Sequence, residues 1–229
     1  MLKRILLTSG IVALGVYVLL DVLGGLNIPG YSFTSQTISE ESAIGVVRPP
    51  LLHVLAQLYT ILTIAFGIGV YDSAEENPAL RRSGLLLVLY GLSGFLWMFF
   101  PMSPRGAERT FSDTGHIGLT ILTGILTFGF MGFAAAAFHG RFRFYTIATI
   151  LAVALLGVLT GRGGAALAAN QPTPLLGLYE RLLIYAYMTW MAVLAMKLIA
   201  ASRRVRFEDA ALGQRTAGRM KFGINSPPG

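Results

Sequence analysis

"ILLTSGIVALGVYVLLDVLGGL", residues 5–26, decides the fold class. About 20 mainly apolar residues suffice to cross a bilayer as a helix. This stretch reaches that length with a single charged side chain, Asp21. The chain opens "MLKR", as a secretory leader would. The apolar run is too long for a leader's core of about 7–15 residues, and no A-x-A cleavage site follows. It reads as a retained first helix.

Working outward, five more stretches qualify: residues 50–71, 84–102, 115–138, 143–161 and 176–200. The connections between them are short. Backbone polar groups in hydrocarbon must be satisfied within the segment, which leaves helices. Residues 1–200 therefore read as one all-α integral membrane domain, a bundle of six transmembrane helices. Residues 201–229 read as a basic tail, partly disordered at its "NSPPG" end. The totals agree: 54% hydrophobic residues, 13% charged and a mean hydropathy of +0.65, where soluble domains carry roughly 25% charge. The absence of cysteine excludes disulfides, thiolate metal sites and cysteine nucleophiles.

The net charge of +7 is a topology signal here, not a nucleic-acid footprint. With a cytoplasmic N-terminus, the inner segments hold Lys3, Arg4, Arg81, Arg82, Arg141, Arg143, Lys197 and the tail cations Arg203, Arg204, Arg206, Arg215, Arg219 and Lys221. The outer segments hold only Arg48, Arg105, Arg109 and Arg162. Both termini are thus expected in the cytoplasm of a prokaryote, with the protein multi-pass in the cell (inner) membrane. The tail suits anionic lipid heads as well as topology.

That orientation puts "YSFTSQTISEESAIG", residues 31–45, outside. Thr37 and Glu40 fit a capping box, so a short interfacial helix is expected in this first outer loop, ended by Gly45. Pro29-Gly30 suits a turn, and Pro49-Pro50 suits entry into helix two. The ionisable side chains within the spans collect on the same side. Asp21 lies at the outer end of helix one. His53 and Gln57 are four apart on helix two, and Asp113 and His116 three apart on helix four. Glu180 and Arg181 open helix six. Residues so spaced share a helix face. His139 falls on the opposite side, beside Arg141 and Arg143.

Charge inside a membrane domain is costly and points to function. A divalent metal could draw on His53, Asp113 and His116, with Asp21 and Glu180 in reserve, although no H-E-x-x-H spacing exists. His116 and Asp113 could activate a loop serine such as Ser39, although no G-x-S-x-G elbow exists. Two histidines could ligate haem. The structural alternative pairs Asp21 with Arg181, and Glu180 with Arg162 or Arg109. The small residues of helices four and five read as close helix packing. Tyr59, Trp97, Tyr185, Tyr187 and Trp190 read as packing or interfacial residues.

"GYSFTSQTISEESAIG", "SDTGHIG" and "GLYERLLIY" together resemble the bacterial and archaeal six-helix membrane family catalogued as domain of unknown function nine-nine-eight. The resemblance spans about residues 5–200. It implies an architecture and no established activity, and its motif falls on Tyr31, Ser35, Gln36, Ser39, Glu40, Asp113, His116, Glu180 and Arg181. Where that pattern continues with leucine after S-E, this chain has Glu41. A looser likeness to alkaline ceramidases and adiponectin-type receptors implies a three-histidine zinc site, which His139 on the far side does not complete.

The function expected is a polar outer-face pocket for a lipid head group or small polar ligand. Ser35, Gln36, Ser39 and Glu40 would form its lid and Asp21, His53, Asp113, His116, Glu180 and Arg181 its floor, with Tyr31 and Gln57 also expected among the binding residues. Arg181 is the expected anion contact. The alternatives are a metal-assisted hydrolase of lipids and an accessory subunit that docks a protein partner through the loop. A transporter would want mid-membrane charge and matched broken helices.

Overall fold

The computed structural model describes the backbone of residues 1–223 and the side chains of residues 1–202. The disorder expected of "NSPPG", residues 225–229, and the side chains of the tail cations fall outside those described. The helices are α1 (Leu2–Leu26), α2 (Pro50–Asp72), α3 (Pro78–Ser93), α4 (Phe111–Ala137), α5 (Arg141–Ala168) and α6 (Leu176–Gly223), with no strand among the described residues. A 3-10 turn, Gly94–Phe99, prolongs α3, and a second, Ile38–Ser42, forms a loop helix between α1 and α2. Six helices are long and apolar enough to cross a membrane. All six turn large apolar side chains outward, among them Leu19, Ile61, Leu85, Ile125, Leu151 and Leu182. Outward apolar faces on every helix need lipid as solvent, so the chain is a multi-pass membrane protein.

Local chemistry sets the boundaries. Pro50 begins α2 after Pro49. Asn77 caps α3, its side chain accepting from the Ala79 and Leu80 amides at 3.1 Å each. Thr110 caps α4 with Asp113. The third span therefore starts at Pro78, earlier than hydropathy places it, because Arg81 and Arg82 depress hydropathy without disfavouring a helix. The fifth span runs to Ala168, through "GRGGAALA", which the sequence reading assigns to a loop. Alanine sustains the helix where hydropathy fades, and Asn170, at φ 54°, turns the chain away. In the first loop, the helix ends at Ser42, before the expected Gly45.

The core fills the half of the bundle away from the loop. Trp190, Phe66, Phe130, Leu87, Met191 and Leu194 are among its fully buried members. Trp190 Nε1 donates to Thr146 Oγ1 at 2.9 Å, tying α6 to α5. Ser83 Oγ donates to the Phe130 carbonyl at 2.8 Å, tying α3 to α4. Close helix approach occurs chiefly between α2 and α3, at Gly67, Gly84 and Gly91. This corrects the expectation for α4 and α5: they are the least closely packed of the consecutive helices, and a Cβ at Gly124 or Gly161 would meet nothing within 4 Å.

Candidate functional site: a cavity beneath the first loop

Arg181, one turn into α6, is the knot that holds the loop. Its Nε lies 3.1 and 3.2 Å from the Asp21 carboxylate. Its Nη2 reaches Asp21 at 2.8 Å, the Tyr31 hydroxyl at 2.7 Å and Glu41 at 3.0 Å. Its Nη1 donates to the Phe33 and Gln36 carbonyls at 2.8 Å each. The Phe33 ring lies against it, 4.9 Å from the guanidinium carbon. Tyr185 donates to Asp21 from the next turn of α6. Glycine admits the loop this closely: a Cβ on Gly24 would run into Glu41, and one on Gly177 into the Gln36 carbonyl.

The knot sets one guanidinium against two carboxylates. Burial, reinforced by a hydrogen bond with Asp21 and the charge it carries, pushes Glu41 from 4.5 up to about 9, against the opposing pull of Arg181. Glu41 is thus the protonated member at neutral pH. Burial also raises the Tyr31 phenol, which stays neutral and donates to the Thr37 carbonyl at 2.6 Å.

A second clamp closes the loop from the side. Arg105 holds Glu40 at 2.5 and 2.9 Å, Thr173 Oγ1 at 2.7 Å and the Ser35 carbonyl at 2.9 Å. Glu40 also accepts from the Thr37 amide at 2.7 Å, as the capping chemistry predicts. The loop helix is pinned from below by Glu180, which accepts from the Ile38 amide and from Ser39 Oγ, the latter at 3.2 Å. Ser39 Oγ also lies 3.2 Å from His116 Nε2, and His116 Nδ1 is 2.9 Å from the Phe100 carbonyl.

Under this roof lies a cavity of about 730 Å³. Its loop end is polar, with Ser39, Glu41, Ser42, Arg48, His116 and Glu180. Its body runs between α4 and α5 along Gly124, Phe128, Val153, Gly157, Val158 and Gly161. Thr120, Thr123 and Thr127 line it too, but their hydroxyls donate to carbonyls of their own helix at 2.8–2.9 Å. That wall is therefore chemically hydrocarbon. Midway down, the hydroxyls of Tyr59, Tyr90 and Tyr187 form a row, with separations of 3.3 and 2.6 Å. Arg48 is the one cation in the lining. Its Nε is enclosed without a protein partner, and burial lowers its pKa from the ordinary value.

The loop motif, the Asp and His of α4 and the Glu-Arg pair of α6 meet in this one region. Residues 11–197 match the family described as "Protein of unknown function (DUF998)". The chain belongs to the DUF998 family. No curated protein and no solved structure matches it. For this DUF998 protein, the residues named from sequence divide into three groups.

Ser39, His116 and Glu180 line the cavity. Asp21, Tyr31, Ser35, Gln36, Glu40 and Arg181 bind one another or backbone, and lie outside its lining. Every arm of the Arg181 guanidinium is engaged by protein, so the expected anion contact finds no free donor. Asp113 is absorbed in capping α4, accepting from the Ser103 and Thr110 amides at 2.7 and 2.8 Å. His53 is exposed and Gln57 half-buried, both outside the lining. His53, Asp113 and His116 thus do not converge, and no group of three or more His, Asp or Glu among the described residues could hold a metal ion. Asp21 pairs with Arg181 at 2.8 Å as expected. Glu180 pairs with neither Arg162 nor Arg109, because the Ile38 amide and Ser39 occupy it. Sequence reasoning missed Arg48 and Arg105, which it counts only as outer charge. It missed Glu41 as a partner, although its departure from the family pattern is the signal.

The protonated Glu41 makes stability depend on pH. Its folded value of about 9 stands above the ordinary 4.5. Between the two, the folded protein holds one proton more than the unfolded chain. Its stabilisation is therefore complete below about 4.5 and is lost as pH rises toward 9. Wild type should lose melting temperature relative to Glu41→Gln between pH 5 and pH 9. A gap that stays constant across that range would remove Glu41 as the proton carrier.

Proposed function

We propose that the cavity receives one phospholipid, its phosphate at Arg48 and an acyl chain between α4 and α5. The observation that carries this is the union of a polar loop end and a hydrocarbon body in one cavity of about 730 Å³. Ligand pockets run to about 300–1,000 Å³. Arg48 supplies a buried, unpartnered N–H and a positive charge. Leaving such a donor unmet costs about 1–3 kcal/mol, and a phosphate oxygen would meet it. The loosely packed α4–α5 seam gives the chain a way in from the bilayer. With both termini in the cytoplasm, the site opens to the outer leaflet of the cell membrane.

The test is native mass spectrometry of protein released from nanodiscs of defined phospholipid. One retained phospholipid per chain is expected, and Arg48→Gln should weaken retention by about tenfold or more, the worth of one charge-assisted hydrogen bond. Equal retention by wild type and Arg48→Gln, or none by either, would overturn the reading.

A further inference from the structure

The geometry points to Ser39 as a nucleophile, with His116 as its base, acting on an acyl ester of the lipid in the cavity. This rests on the phospholipid reading above and adds a reaction to it.

The hydrogen bonding of His116 fixes its chemistry. The Phe100 carbonyl, 2.9 Å from Nδ1, can only accept. Nδ1 therefore carries a hydrogen, and in the neutral ring Nε2 holds the lone pair. That lone pair faces Ser39 Oγ at 3.2 Å, within the reach expected of a base and its nucleophile. A backbone carbonyl thus fills the orienting place that Asp113 was expected to take. The Trp97 ring packs edge-on against the imidazole, centroids 4.8 Å apart, and limits its rotation. Ser39 Oγ lies 3.2 Å from both Glu180 Oε1 and His116 Nε2, so its one hydrogen serves the carboxylate or the imidazole in turn, while the hydroxyl stays held between α6 and α4 and lines the cavity. By contrast, Thr120, Thr123 and Thr127 spend their hydroxyls on their own helix. Ser39 alone among the lining hydroxyls meets an imidazole. It also lines the polar loop end of the cavity, which it shares with Arg48, the group assigned to the phosphate. In a glycerophospholipid the ester carbonyls follow directly below the phosphate.

In the first step the Ser39 hydroxyl turns its hydrogen from Glu180 to Nε2, and Oγ forms a bond to the ester carbonyl carbon as that proton passes to Nε2. The ester C–O bond then breaks, and the departing lyso-lipid oxygen takes that proton from the imidazolium. Water, deprotonated by the same Nε2, next attacks the acyl-serine. The fatty acid leaves and Ser39 recovers its proton. The sum is ester plus water giving lyso-lipid plus fatty acid, with no oxidant or reductant required. Glu180 is a positioning residue in this scheme and touches no reacting carbon.

The test uses the full chain in phospholipid nanodiscs and a hexadecyl fluorophosphonate, which modifies activated serines and carries a chain for the α4–α5 cleft. A covalent adduct on the peptide bearing Ser39 is expected, with its rate reduced about 100-fold or more in His116→Gln. The adduct should be absent in Ser39→Ala. An unlabelled wild type, an adduct on another residue, or an equal rate in His116→Gln would overturn the nucleophile. Phospholipid retention is measured on the same samples. Retention without labelling would remove the reaction and leave the binding site. Labelling without retention would remove phospholipid as the acyl donor.

Discussion

Arg181→Met should cost this protein most of its stability and prevent its isolation as a monodisperse species. The substitution keeps much of the side chain's volume and removes only the guanidinium. Asp21 and Glu41 would then face each other with no cation between them. The carbonyls of Phe33 and Gln36 would lose their shared donor. Breaking a buried ion pair by removing one partner costs about 3–5 kcal/mol, and the orphaned Phe33 carbonyl adds about 1–3 kcal/mol, while the Gln36 carbonyl keeps the Tyr31 hydroxyl at 3.2 Å. Total stabilities run to only about 5–15 kcal/mol. Adding Asp21→Asn to Arg181→Met should recover part of the loss, because it removes the uncompensated carboxylate. Arg181→Lys should fall between, since an ammonium lacks the planar fork that reaches Asp21, Glu41 and the two carbonyls at once. Melting temperatures of the detergent-solubilised variants measure all three. An Arg181→Met protein that melts with wild type would mean that the knot does not hold the loop.

The same knot marks how far the sequence could be read. Asp21 and Arg181 were recognisable as partners because each stands near the loop end of a span and an unpaired charge there is expensive. Helix phase is a different matter. His53 and Gln57 share a face, but the period does not say which face looks inward. The buried stripe of α2 runs through Leu52, Leu55, Tyr59, Thr63 and Phe66, and leaves His53 exposed. The six helices were legible because span length is a strong signal. The far end of α5 was not, because hydropathy fades at residues 161–164 while the helix continues to Ala168. Arg48 was invisible as a site residue. A sequence records its charge but not that its Nε is enclosed without a partner. Ser39, His116 and Glu180 were gathered correctly at one end. Their order was not foreseeable, because the group orienting His116 is a main-chain carbonyl.

Glycine gives the sharpest separation between packing and cavity. Gly84→Leu and Gly124→Leu are the same substitution in two helix interiors, and composition alone would treat them alike. At Gly84 a Cβ would stand 2.5 Å from the Tyr71 amide nitrogen and 2.7 Å from its Cα. Those are backbone atoms, so α2 and α3 must part, and overpacking costs about 1–3 kcal/mol or more when the backbone has to move. At Gly124 the same Cβ would meet nothing within 4 Å. There leucine gains the helix propensity that glycine lacks, about 0.8–1.0 kcal/mol, and points into the hydrocarbon body of the cavity. Gly84→Leu should therefore melt well below wild type. Gly124→Leu should melt with or above wild type in lipid-free detergent and lose its retained phospholipid. It should also slow labelling of Ser39 by the hexadecyl probe more than by an ethyl one, because the leucine obstructs the chain and leaves the hydroxyl untouched. If Gly124→Leu destabilised as Gly84→Leu does, α4 and α5 would be packed together there and the cavity would not exist in the membrane. If it retained phospholipid as wild type does, the acyl chain would have to lie elsewhere than along Gly124.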